Sequence, residues 1–153
     1  MKPTVMPIVS LAVAVLLLVG CGGNDQGGNS VRVTIAGSDQ MKFDRATIEV
    51  PAGARVILTL EHRGRMSVGA MGHNFVLLQQ GVDLDGFARA AARAGTTDHI
   101  PPRKQDQVIA HTRMLGGGET DTITFEAPAP GTYKFICSFP GHYLAMRGDF
   151  VVR

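Results

Sequence analysis

Apolar and polar positions follow three successive patterns along the chain. From Ile8 to Val19 the side chains are almost all apolar, behind the basic Lys2, and the run exits through the small Gly20 to Cys21. A basic start, a short apolar stretch and a small-residue exit describe a secretory signal over residues 1–20. The run is shorter than the ~20 apolar residues that a membrane-spanning helix needs. Residues 22–30 are Gly, Asn, Asp, Gln and Ser, with no apolar side chain. Such a segment cannot offset its ordering entropy, so a flexible tether is expected over residues 21–30. After it, short alternating runs begin: Val31, Val33 and Ile35 share one face, as do Ile123 and Phe125.

This period of two predicts strands over 31–36, 46–50, 55–62, 73–78, 107–111, 120–125, 132–137 and 149–153. Pro51-Ala52-Gly53, Gly116-Gly117-Gly118 and Pro128-Ala129-Pro130-Gly131 mark joins between them. Many short strands in one domain, residues 31–153, predict an all-β sandwich. One stretch changes period. Over 82–94 the chain is Ala-rich, with Leu84, Phe87, Ala91 and Ala94 on one helical face and Arg89 and Arg93 on the other. A short helical insert covering one side of the sandwich is expected there.

Charge narrows the function classes only by exclusion. The net charge of the 153-residue chain is +2, with no basic block, so a nucleic-acid partner is not expected. The triple glycine at 116–118 lacks a following Lys-Ser/Thr and a helix, so it is not a phosphate loop. Cysteine usage says more. There are two, Cys21 and Cys137. If the first carries lipid, the second has no partner within the chain, and a free thiol in an oxidising compartment is a liability unless occupied.

The occupant is suggested by the neighbours. Cys137-Ser138-Phe139-Pro140-Gly141-His142-Tyr143-Leu144-Ala145-Met146 puts a thiol, an imidazole and a thioether in one loop. Pro140 and Gly141 bend it, and His73 offers a second imidazole upstream. A thiolate and two imidazoles in a plane, with a weak thioether, suit a single copper ion in both oxidation states. Little then moves when an electron does, and no coordination position is left for a substrate. That favours an electron carrier over an enzyme. A cysteine nucleophile is disfavoured too, since no orienting carboxylate or amide lies in the loop. Envelope copper storage or protection against copper stress would use the same ligands and is the alternative function.

Two resemblances extend this reading. Leu18-Val19-Gly20-Cys21 resembles a bacterial lipobox, which implies cleavage before Cys21, lipid on its sulfur and an acylated amino terminus. Met71-Gly72-His73-Asn74 and Cys137 to His142 followed by Met146 resemble the copper motifs of azurins. Asp39-Gln40-Met41, Val108-Ile109-Ala110-His111-Thr112 and Thr122-Ile123-Thr124-Phe125 are also azurin-like. The likeness runs through residues 31–153 and is weakest across the helical insert. It implies a Greek-key, cupredoxin-like sandwich holding a type 1 copper. His73, Cys137 and His142 would be equatorial ligands and Met146 the axial one, with the Gly72 carbonyl on the opposite axis. Asn74 would tie the ligand segments together near the sulfur, and Phe139 and Pro140 would line the site.

The same resemblance implies an apolar docking patch around the C-terminal ligand His, drawing on Met41, Ala70, Met71, Leu144 and Ala145. Its partners would be redox proteins such as c-type cytochromes or a copper nitrite reductase. The lipid anchor would place the chain in the periplasm or cell envelope, on the outer membrane rather than the inner. His62 matches a buried, pH-sensitive His and His111 a surface one. Three departures from azurins are visible: the domain lacks a second cysteine for a disulfide, Phe75 stands where Trp is usual, and Tyr143 replaces a small residue. Auracyanin-like proteins, blue-copper and membrane-tethered, are a close alternative within the superfamily.

Overall fold

Alternating burial organises the observed strands as it does the sequence. The computed structural model describes residues 29–153; the expected signal, Cys21 and nearly all of the tether lie outside the described residues. Nine strands form two sheets. In chain order they are β1 (Ser30–Ser38), β2 (Lys42–Phe43), β3 (Thr47–Val50), β4 (Arg55–His62), β5 (Val76–Leu78), β6 (Val108–His111), β7 (Thr120–Glu126), β8 (Gly131–Ile136) and β9 (Arg147–Val152). One sheet has the order β2-β1-β4-β7 and the other β3-β9-β8-β5-β6. β1 runs parallel to β4, and β3 parallel to β9. Because the chain passes repeatedly from one sheet to the other, the path is a Greek key and not a row of hairpins.

The period of two puts Val33, Ile35, Leu58 and Leu60 inward, paired as Val33↔Leu58 and Ile35↔Leu60. They meet Phe75, Leu77, Phe135 and Phe150 from the facing sheet in the main core. Phe75 stacks on Phe135 with centroids 5.2 Å apart, so the position that holds Trp in azurins stays filled by an aromatic ring.

The insert forms helix α2 (Leu84–Ala91), shorter than the predicted 82–94. It covers the outer face of the five-stranded sheet. Phe87 and Ala91 pack there with Val76, Leu78, Ile100 and Ile136 in a second core. Burying Phe87 alone is worth about 2–3 kcal/mol. β5 is therefore buried on both faces.

Three predicted boundaries need correction. β2 was not expected; it spans only two residues, too few to show a period. The four-residue helix α1 (Val68–Met71) was likewise missed. His73 was placed at the start of a strand, yet β5 begins at Val76, and His73 makes only an isolated bridge to Leu115.

Candidate metal centre

His73 is fixed by segments far from it in sequence. Its backbone N–H donates to the Leu115 carbonyl at 3.0 Å, and its carbonyl accepts the Leu115 N–H at 2.8 Å. Ring Nε2 lies 2.9 Å from the Ser38 carbonyl at the end of β1. A carbonyl can only accept, so Nε2 carries the proton and Nδ1 keeps its lone pair for a metal. The His62 ring stacks on His73, centroids 4.3 Å apart at 16°. His62 in turn donates from Nε2 to the Met71 carbonyl at 2.7 Å and accepts the Gly64 N–H at Nδ1, 3.1 Å. Gly37 completes the surroundings. A Cβ there would stand 2.7 Å from His73 Cδ2 and 3.2 Å from Met146 Cε, so β1 approaches both side chains only because this residue has none.

The other donors come from residues 137–146, between β8 and β9. This loop closes on itself. Cys137 N–H donates to the Met146 carbonyl at 2.9 Å, Met146 N–H to the His142 carbonyl at 2.7 Å, and His142 N–H to the Phe139 carbonyl at 3.0 Å. Gly141, at φ +82°, turns the chain into a single 3-10 turn, His142–Leu144. Cys137, His142 and Met146 are all buried.

The ligating atoms of His73, Cys137 and His142 lie within 4.8 Å of one another. Cys137 Sγ is 4.0 Å from His73 Nδ1 and 3.6 Å from His142 Nδ1. A metal with bonds of about 2.3 Å to sulfur and 2.0 Å to nitrogen, at trigonal angles, requires about 3.7 Å between them. The two sulfur–nitrogen separations bracket that value, so the donor set suits one thiophilic ion. The Gly72 carbonyl is 3.8 Å from the sulfur. Met146 closes the same loop, and its Cε and His73 Cδ2 both lie beside Gly37.

Asn74 bolts the two ligand segments together. Its Oδ1 accepts the Ser138 N–H at 2.8 Å, and its Nδ2 donates to Ser138 Oγ at 2.8 Å and to the Asp98 carbonyl at 2.9 Å. Burial pushes the Cys137 thiol up to about 12, with the backbone N–H groups of Asn74 and Phe139 pulling the other way. Burial, then the nearby His73 and His62, pushes His142 down to about 4. Burial also lowers His73, against the Ser38 hydrogen bond. Both imidazoles are thus neutral near pH 7 and ready to coordinate, while the thiol must give up its proton to the metal.

The remaining predicted residues divide by exposure. Leu144 is 63% exposed, Pro140 and Ala145 are exposed in the same loop, and Ala70 is exposed in α1. Phe139 is half-buried, its ring 4.6 Å from that of His142 and tilted by 44°. Met71 is half-buried at the end of α1, and Met41, at φ +54°, packs against the main core. Sequence reading missed Met66 and Val68, which are exposed apolar residues. Val68 lines a depression of about 550 Å³ with Met114, Asp98, His99, Phe139 and Pro140. No local pattern marks Asp98 or Met114, because both reach the site through contacts distant in sequence.

Comparison with known proteins agrees with this geometry. The family model described as copper binding proteins, plastocyanin/azurin family, matches residues 29–153. Azurin-1 of Alcaligenes xylosoxydans xylosoxydans is 39% identical over 120 residues, covering 76% of this chain and 92% of that one. Outer membrane protein H.8 of Neisseria gonorrhoeae is 36% identical over 118 residues, 75% of this chain and 63% of that protein. Auracyanin A, a "blue" copper protein from Chloroflexus aurantiacus, superposes with TM-score 0.74 at 32% identity, over 82% of this chain and 100% of that one.

Proposed function

The chain belongs to the plastocyanin/azurin family of copper-binding proteins, and from that premise we propose that it is a lipid-anchored blue-copper carrier moving single electrons between redox proteins at a bacterial envelope. The observation that carries this reading is the buried triad of Cys137 Sγ and two imidazole Nδ1 atoms at trigonal spacing. Copper held there supplies a one-electron couple. His73, Cys137 and His142 would be the equatorial donors, with Met146 and the Gly72 carbonyl on the axis.

The protein's own residues keep the donors still. Ser38 locks the His73 tautomer, Asn74 fixes the separation of the two ligand segments, and the sandwich excludes water from the sulfur. A donor set that cannot relax toward either oxidation state keeps reorganisation small, which suits transfer and not turnover of a bound substrate. The exposed Leu144, Ala145 and Pro140 next to His142 would make the small, transient contact expected of redox partners. Those partners would be c-type cytochromes or a copper nitrite reductase.

Two features support the envelope location: the lipobox-like 18–21 segment, and the relative whose own name places it in the outer membrane. Residues 1–20 would be removed and Cys21 acylated, leaving the tether up to residue 30 and the copper domain beyond it.

Adding Cu(II) to the purified protein should give an intense blue colour, and Cys137→Ser should abolish it. A colourless complex with the unmutated chain overturns the reading. Labelled fatty acid should enter the protein made in a bacterial host and not its Cys21→Ser variant; no label in the unmutated chain overturns the anchor.

A further inference from the structure

The insert does more than cover the outer sheet, because its far end reaches the ligands. After α2 the chain makes a 3-10 turn, Gly95–Thr97, and then two consecutive left-handed residues, Asp98 at φ +53° and His99 at φ +58°. Non-glycine residues rarely adopt this region, and held there they mark places where surrounding contacts over-determine the backbone.

Several of those contacts lead to the metal centre. The Asp98 carbonyl accepts from Asn74 Nδ2 at 2.9 Å, the same amide that grips Ser138. Asp98 Oδ1 accepts the Met114 N–H at 3.1 Å, and Met114 is next to Leu115, the bridge partner of His73. The His99 ring packs edge-on against Phe139, centroids 5.4 Å apart at 66°, while its Nδ1 lies 2.8 Å from the Ala91 carbonyl at the end of α2.

One turn therefore touches the Asn74 clamp, the segment bridged to His73 and the residue after Ser138. Asn74 and Phe139 also offer the backbone N–H groups that face the Cys137 sulfur.

We propose that Asp98 is a positioning residue for the copper site: its carboxylate pins the insert turn to Met114, so that its carbonyl holds the Asn74 amide in the orientation that sets the sulfur environment. The proposal rests on reading the triad as a copper site. Without the carboxylate the turn loses its anchor, the Asn74 amide loses a fixed acceptor, and the spacing of Asn74 from Ser138 relaxes. Groups that orient ligands from outside the coordination sphere typically change metal affinity about 10–100-fold when removed.

The test uses the full-length chain and three variants. Asp98→Ala removes the carboxylate and disfavours the left-handed backbone. Asp98→Gly removes the carboxylate and keeps that backbone accessible, so it decides the question if Asp98→Ala does not fold. Asp98→Asn retains an acceptor oxygen and tolerates the conformation.

Expected for Asp98→Gly are copper loss to a chelator about tenfold faster and a changed hyperfine splitting in the electron paramagnetic resonance spectrum. In the metal-free protein the Asn74 side-chain amide protons should exchange about tenfold faster by NMR. Asp98→Asn should restore all three. Unchanged splitting and chelation in Asp98→Gly overturn the proposal, as does an Asp98→Asn variant as impaired as Asp98→Gly. If the unmutated chain takes up no blue copper, the proposed function fails, and the Asn74 exchange rates alone decide whether Asp98 positions that amide.

Discussion

His73 is held from outside its own segment, whereas Cys137, His142 and Met146 are held largely by one loop of ten residues. The upstream imidazole is fixed by Ser38, Leu115, Gly37 and the stacked His62, none of them nearer than eleven residues in sequence. The downstream loop closes through its own hydrogen bonds, and among the described residues no hydrogen bond is made to Nε2 of His142. Half the site thus depends on the assembled sandwich, and half is close to a self-contained turn. Electron exchange suits this division. The upstream side defines the metal geometry, while the loop would offer Leu144, beside the buried His142, to a partner.

The largest effect that sharpens this comparison is on pH, because the titrating donors sit mainly in the loop. With the thiol near 12 and His142 near 4, copper binding between about pH 6.5 and 9 releases one proton, from Cys137. Apparent affinity should rise about tenfold per pH unit across that window, and the slope should steepen below it, where the imidazoles take up protons. Proton release measured by calorimetry in buffers of different ionisation enthalpy checks the count; two protons at pH 7 would mean that an imidazole is charged.

The metal-free fold should respond in both directions. The depressed His142 value makes the unfolded chain bind more protons as pH falls from about 6.5 through about 4, so stability is lost there. The raised Cys137 value makes the unfolded chain lose its proton first as pH rises from about 9 toward 12, so stability is lost there too. A urea midpoint that stays flat from pH 7 to 4 would contradict the acid half.

Asn74→Ala should break the comparison itself by unlinking the halves. It orphans the buried Ser138 N–H and strips the Asp98 carbonyl of a donor. About 2–4 kcal/mol of stability should go, together with ten- to a hundredfold in copper affinity. Denaturant unfolding and chelator competition measure the two losses.

Gly37→Ala probes the upstream half alone. The added methyl meets His73 Cδ2 at 2.7 Å, and overpacking of this kind costs about 1–3 kcal/mol. The loop should survive, so copper would still bind, but with an altered visible spectrum. The smallest effect is expected on the exposed side: Leu144→Glu should change stability by less than about 0.5 kcal/mol. It should nevertheless slow electron exchange with a cytochrome c in stopped-flow mixing, and an unchanged rate would remove Leu144 from the contact.

Much of this was legible in the sequence for a physical reason: strands carry their own period, and three of the four side-chain donors lie in one short loop. Val33 and Ile35, or Leu58 and Leu60, announce their inward face locally. Phe87 and Ala91 do the same for α2, though the helix ends earlier than its Ala-rich composition suggests. What could not be read are features set by chain crossings. His73 looked like a strand residue because apolar positions follow it, but its ring is claimed by Ser38, thirty-five residues upstream. Asp98 and His99 carry no local signal, since nothing nearby in sequence shows which carbonyl will meet Asn74. Val68 and Met66 are apolar and would be assigned to the core by composition, yet both are exposed, Val68 at the start of α1 and Met66 just before it.

β1 has a further consequence for how the molecule is presented. Its last residue, Ser38, touches the ligand ring, and its first, Ser30, lies eight residues back along an extended strand. At ~3.3 Å per residue that is about 26 Å, the length of one of the longest strands. Whatever precedes the domain therefore leaves from the pole opposite the copper. A leash fastened there would hold the protein by its base, with its electron-exchanging crown turned outward and free to swing toward passing partners.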